Sequence, residues 1–161
     1  MIQAEIESRE LTTLGLLLRQ TADGKRMLAR LRRELRREAA PAVEAARRAA
    51  LSLPSKRVNA ARGRVSLRAA LAKATRSRLT LGKTRAGLVI EVSQRAMPEG
   101  MKSLPVYVEG LRRWRHPVYG QDVWVRQDPM PFFYDAVRPY ENRLPDAGRR
   151  IIAEVEREIT R

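Results

Sequence analysis

The sequence has no cysteine, which excludes disulfide staples and thiolate metal sites. It has one histidine, His116, too few for a His-rich metal cluster. No stretch approaches the ~18 consecutive apolar residues that a membrane-spanning helix needs, so no membrane is expected among its partners. Met1-Ile2-Gln3-Ala4-Glu5 has neither the basic start nor the apolar stretch of a secretory signal, and synthesis in a cytoplasm is expected. Neither a GxxxxGK[ST] phosphate cradle nor a GxGxxG fingerprint occurs. Internal repeats and low-complexity tracts are also missing.

What is present is a chain of 161 residues, 43% of them hydrophobic, enough for a single domain (1–161) with a real core. The formal net charge is +15, and arginine supplies 28 of the 33 basic side chains. The charge is uneven. Residues 1–78 hold 19 basic and 7 acidic side chains, against 14 and 11 in residues 79–161. Such a field attracts nucleic acid, acidic protein surfaces or anionic lipid without choosing among them.

The strongest periodicity runs through residues 24–53. Leu28, Leu31, Leu35, Ala39, Ala42, Ala46, Ala49 and Leu53 step by three and four, one apolar stripe on a helix. Thr21 or Asp23 is expected to cap it, and Pro54 to end it. Arg30, Arg32, Arg33, Arg36, Arg37, Arg47 and Arg48 make its outer face basic. Pro41 falls inside the pattern and predicts a kink, or two abutting helices with Pro41 opening the second. The alanine-rich half implies close approach to a flat partner such as a sheet. Leu11, Leu14, Leu17 and Leu18 predict a short helix within residues 1–20.

Residues 54–75 read as a basic loop or arm, with Leu67 and Leu71 beginning a helical turn at most. The period then changes. Leu79 and Leu81, then Leu88, Ile90 and Val92, alternate with polar neighbours around Gly82-Lys83-Thr84-Arg85, a hairpin pattern. Residues 96–105 read as a loop. A second strand pair is expected through 111–118 and 122–127, turning at Tyr119-Gly120-Gln121-Asp122. Ala147, Ile151, Ile152, Val155 and Ile159 return to helical spacing. Helices, then strands, then a helix, without βαβ alternation, predict an α+β fold: long N-terminal and C-terminal helices packed on a small antiparallel sheet.

The residues offer little for catalysis. His116 lies in an arginine-rich strand without a serine motif, and reads as a packing or interface residue fixed by Pro117. Glu154, Glu156 and Glu158 do not converge on one point of a helix, and read as a solvated face. No catalytic residue, metal or cofactor is expected. The eight aromatics fall between Tyr107 and Tyr140, with Trp114, Tyr119, Trp124, Phe132, Phe133 and Tyr134 at the centre. They fit the densest core, a subunit interface, or base stacking. Lys56, Arg57, Arg62, Arg64, Arg68 and Lys73 fit a solvated loop, a contact with DNA phosphates, or docking on an acidic neighbour.

Trp114-Arg115-His116-Pro117-Val118-Tyr119-Gly120, followed by Trp124-Val125-Arg126-Gln127 and Pro131-Phe132-Phe133, resembles the C-terminal signature of siphophage tail-completion proteins, the neck or minor tail family. There a RHPVFG turn precedes a W..Q strand and a proline–aromatic entry into the last helix; here Tyr119 replaces the phenylalanine. The resemblance implies a non-enzymatic α+β subunit of the head–tail connector in the virion. It would form a ring with copies of itself, a hexamer, between the portal or head-closure side and the tail terminator or tail tube, around a channel through which DNA passes. Trp114, Arg115, His116, Pro117, Tyr119, Gly120, Trp124, Gln127, Phe132 and Phe133 are its candidate interface or core residues. The alternative is a basic module that binds DNA phosphates.

Overall fold

The computed structural model describes residues 2–7, 9–54, 66–82, 84, 86–110, 112–117 and 123–159. Strand β1 (Ile2–Glu7) opens the fold and is followed by helices α1 (Arg9–Gln20) and α2 (Gly24–Ser52). Helix α3 (Leu67–Ala74) leads directly into β2 (Thr75–Leu81), which pairs with β3 (Ala86–Val92). A short helix α4 (Leu104–Glu109) precedes the small hairpin β4 (Trp114–Pro117) and β5 (Trp124–Gln127). Helices α5 (Phe133–Val137) and α6 (Arg143–Ile159) complete the chain, and 3₁₀ turns occupy Gln94–Ala96 and Arg138–Tyr140.

The main sheet is antiparallel with order β1-β3-β2. Leu88 in β3 stands opposite Leu79 in β2, and Ile90 opposite Ala4 in β1. Strand alternation turns Leu88, Ile90 and Val92 toward the helices. Val89 and Glu91 face the other way; Val89 is buried yet belongs to neither core cluster.

Helix α2 divides its work between two cores. Ala39, Ala42, Ala46 and Ala50 pack with Ile2, Ile90, Val92, Leu71 and Phe133. Their small side chains let the helix lie close to the sheet, as the alanine pattern predicted. Leu28, Leu31 and Leu35 join Leu11, Leu14 and Leu18 of α1 and Ile151, Ile152 and Val155 of α6. Together these clusters exclude water from the helix-on-sheet and helix-on-helix contacts, the main stabilising term.

The structure corrects several expectations. Residues 2–7 form a strand, so the N-terminal helix begins only at Arg9. Helix α2 continues through Pro41 as one element, and the two-helix alternative does not occur. The Pro41 side is exposed, while Ala39, Ala42 and Val43 are buried on the opposite side and hold the helix through the missing hydrogen bond. Neither proposed cap makes a side-chain cap. Asp23 offers its backbone carbonyl to the N–H groups of Arg26 and Met27 at 3.0 and 3.1 Å, and the Thr21 hydroxyl donates to the Leu18 carbonyl. The basic arm is shorter than expected, because Leu67–Ala74 is a helix capped by the Ser66 hydroxyl and Thr75 already belongs to the sheet. Residues 104–109, partly assigned to a loop, form α4. The hairpin turn at 119–122 lies outside the described residues.

Candidate functional site

The segment carrying the sequence signature folds as a two-stranded sheet separate from the main one. Trp114 pairs with Gln127, Arg115 with Arg126, His116 with Val125, and Pro117 with Trp124. Among the described residues its two strands pack mainly on each other, and neither pairs with the main sheet.

Its base is clamped. Glu109, at the end of α4, is buried; its Oε2 accepts the backbone N–H groups of Phe132 and Phe133 at 2.9 and 3.0 Å. Its Oε1 accepts the Tyr134 N–H at 3.0 Å. These donors open α5, where free N–H groups favour an anionic acceptor. The Met130 N–H donates to the Val108 carbonyl at 2.8 Å, and Arg113 pairs with Asp128. The segment after the hairpin is therefore tied to α4, and the Arg113–Asp128 pair joins the two flanks of the hairpin to each other. Sequence reading missed Glu109. Its one signal is an acidic residue ending the apolar run Leu104-Pro105-Val106-Tyr107-Val108.

The two hairpin faces differ. Trp114 is half-buried and stacks on Tyr107, with centroids 5.2 Å apart and planes 12° from parallel. On the other face Arg115 lies over the Trp124 ring at 5.3 Å, a cation–π contact, with Arg126 exposed beside it. Trp124 is 53% exposed and Val123 51%, while Tyr107 and Tyr134 near the base are 46% and 44% exposed. Tryptophan, tyrosine and arginine are the side chains that concentrate binding energy in protein interfaces. Phe132 and Phe133 are buried, and edge-to-face packing joins Phe133 to both Phe132 and Tyr134. Among the described residues the aromatics thus split into the buried Phe132 and Phe133, the partly buried Trp114 and Tyr140, and the exposed Tyr107, Trp124 and Tyr134. Tyr119 and Gly120 lie outside the described residues.

Only two of the six residues of the second predicted site fall among the described residues. Lys56, Arg57, Arg62 and Arg64 lie outside the described residues. Arg68 sits on α3 and donates to the Leu53 carbonyl at 3.3 Å, a half-buried internal bond. Lys73 is exposed in the last turn of α3. Arg47, expected on the outer face of α2, instead turns its guanidinium to the Thr75 carbonyl at 3.0 and 3.1 Å.

A cavity of about 250 Å³ between α1, α2 and α6 is lined mainly by Leu11, Leu35, Leu88, Leu144 and Ile152, with Glu10 as its one carboxylate. Among the described residues no group of three His, Cys, Asp or Glu is placed to hold a metal ion, and no helix is long and apolar enough to cross a membrane. Comparison of the chain with protein-family models, curated proteins and solved structures gives no match.

Proposed function

We propose that this protein is a non-enzymatic structural subunit of the head–tail junction of a long-tailed bacteriophage. In this reading copies of the chain form a ring in the virion neck, between the portal side and the tail tube. The observation that carries it is the clamped hairpin that bears the tail-completion-like signature and presents Arg115, Trp124 and Arg126 outward. A side chain as large as Trp124, half-exposed on a hairpin separate from the main sheet, gains most by insertion into a neighbouring subunit. As an edge strand of the main sheet, a position from which strands pair with other chains, β1 supports the same reading. Identical subunits joined head-to-tail close into a ring when the rotation between them permits.

The test is the assembly state of the purified protein by mass photometry and negative-stain microscopy, alone and with neck proteins from the same phage genome. Discrete rings, lost on Trp124→Ala, are expected. A protein that remains monomeric alone and with those partners, with the variant indistinguishable from it, would sink the reading.

A further inference from the structure

The outer face of α2 is a second surface, with a composition unlike that of the hairpin. Lys25, Arg32 and Arg36 form one row along the helix; Arg26, Arg33 and Arg37 form a parallel one. Each row steps by seven and then four residues, so at 3.6 residues per turn the two rows share an arc of roughly 140° and a length of roughly 18 Å. All six side chains are exposed. Arg26, Arg32, Arg36 and Lys25 make no ion pair among the described residues. Arg33 and Arg37 share a single carboxylate, Glu34. Of the other nearby acids, Glu38 is taken by Arg150 of α6, as Glu158 of α6 is by Arg30, which leaves the exposed Asp23 at the start of the helix.

A second copy of this chain is a poor counterpart for such a face. Among the described residues most exposed carboxylates are already paired, among them Glu44 with Arg47, Glu99 with Lys102, Asp135 with Arg138 and Asp146 with Arg149. An acidic partner protein is disfavoured by what lies between the rows. Protein interfaces centre on a desolvated apolar or aromatic patch, and here only the alanines Ala29 and Ala40 are exposed among the cations. Interfaces with nucleic acid are more polar and far more positive, and arginine's planar fork suits phosphate oxygens. We propose that the two cationic rows of α2 form a binding face for the phosphate backbone of duplex DNA, without base selection. The face lies on a different element from the hairpin, so the inference stands or falls independently of ring assembly.

The test is fluorescence anisotropy with a labelled mixed-sequence duplex, titrated between about 50 and about 200 mM salt. The wild-type chain should bind with an affinity that falls steeply as salt rises. The triple variant Arg32→Gln/Arg33→Gln/Arg36→Gln should bind about 100-fold more weakly, with a salt slope shallower by roughly three. The charge-matched Lys56→Gln/Arg57→Gln/Arg62→Gln should bind much as wild type does. Circular dichroism checks folding; if the triple variant is unfolded, Arg33→Gln and Arg36→Gln singly should each lower the slope by about one. Three results overturn the proposal: no duplex binding at the lowest salt, loss in the 56–62 variant but not the α2 variant, or poly-glutamate binding tighter than the duplex.

Discussion

Glu109 and Phe133 are joined by a 3.0 Å hydrogen bond from the Phe133 backbone N–H to the buried Glu109 carboxylate, and this bond spans the base of the β4–β5 hairpin. The same oxygen serves Phe132, and the other serves Tyr134. A helix of five residues cannot sustain itself by its own hydrogen bonds, so the carboxylate organises α5 and, through it, the return of the chain from the hairpin. Glu109→Gln offers one acceptor oxygen and turns an amide N–H₂ toward N–H donors. It should cost about 1–3 kcal/mol in urea unfolding and weaken the near-ultraviolet signal of the aromatic cluster. A variant as stable as wild type would show that the clamp is dispensable.

Gly24 and Gly148 make opposite predictions from the same substitution. A Cβ on Gly24 would overlap the Leu18 backbone carbonyl, because α2 starts hard against the end of α1. A Cβ on Gly148, inside α6, meets no atom within 4 Å. Gly24→Ala must therefore displace backbone and should lower stability by about 1–3 kcal/mol. Gly148→Ala should raise it by roughly 0.5–1 kcal/mol, the helix-propensity gain. Thermal melts of the two variants should shift in opposite directions.

What the sequence showed and hid follows from the range of the interactions involved. The stripe from Leu28 to Leu53 was legible because a long helix repeats one requirement at every turn. Leu88, Ile90 and Val92 were legible because every second side chain of β3 meets the helix layer, although the strand is buried on both faces. β1 was missed although Ile2, Ala4 and Ile6 alternate with polar residues, because the leucines of α1 follow closely and extend a helical reading back over it. Helices α4 and α5 span six and five residues, too short to show a period, and depend on Glu109 meeting N–H groups more than twenty residues away. Arg47 and Arg48 look equivalent in sequence, yet only Arg47 has the Thr75 carbonyl within reach. The hairpin pairing of the signature was foreseen; its separation from the main sheet was not, because pairing is local and that separation is a property of the whole fold.

Glu91 is a buried carboxylate on the sheet face that the helices leave uncovered. Arg76 holds Oε1 with two nitrogens, at 2.9 and 3.0 Å, and Arg78 reaches Oε2 at 3.4 Å. Both arginines are half-exposed, so their own charges stay hydrated when the partner is lost. Removing the acid costs its charged hydrogen bonds and the cover that the two arginines give the central strand: Glu91→Ala should destabilise by about 1–3 kcal/mol. The shorter, paired bonds rank Arg76→Ala above Arg78→Ala. Equal losses in the two arginine variants, measured by chemical denaturation, would contradict that ranking.

Trp124 and Phe133 belong to one signature but do different physical work, and substitution should separate them. Phe133 has no exposed surface and joins Ala42, Ala46 and Val92 in the larger core cluster. Phe133→Ala opens a cavity there and should cost about 3–5 kcal/mol. Trp124 is half-exposed, and the Arg115 guanidinium lies over its ring, a contact worth about 0.5–1 kcal/mol at a surface. Trp124→Ala should therefore leave the unfolding midpoint of the monomer nearly unchanged while reducing the assembled fraction seen by mass photometry. Arg115→Lys keeps the charge but loses the planar stacking surface, and should fall between Trp124→Ala and wild type in assembly. If Trp124→Ala instead unfolds the chain as Phe133→Ala does, the tryptophan is part of the hairpin's own packing rather than a contact held out for a neighbour.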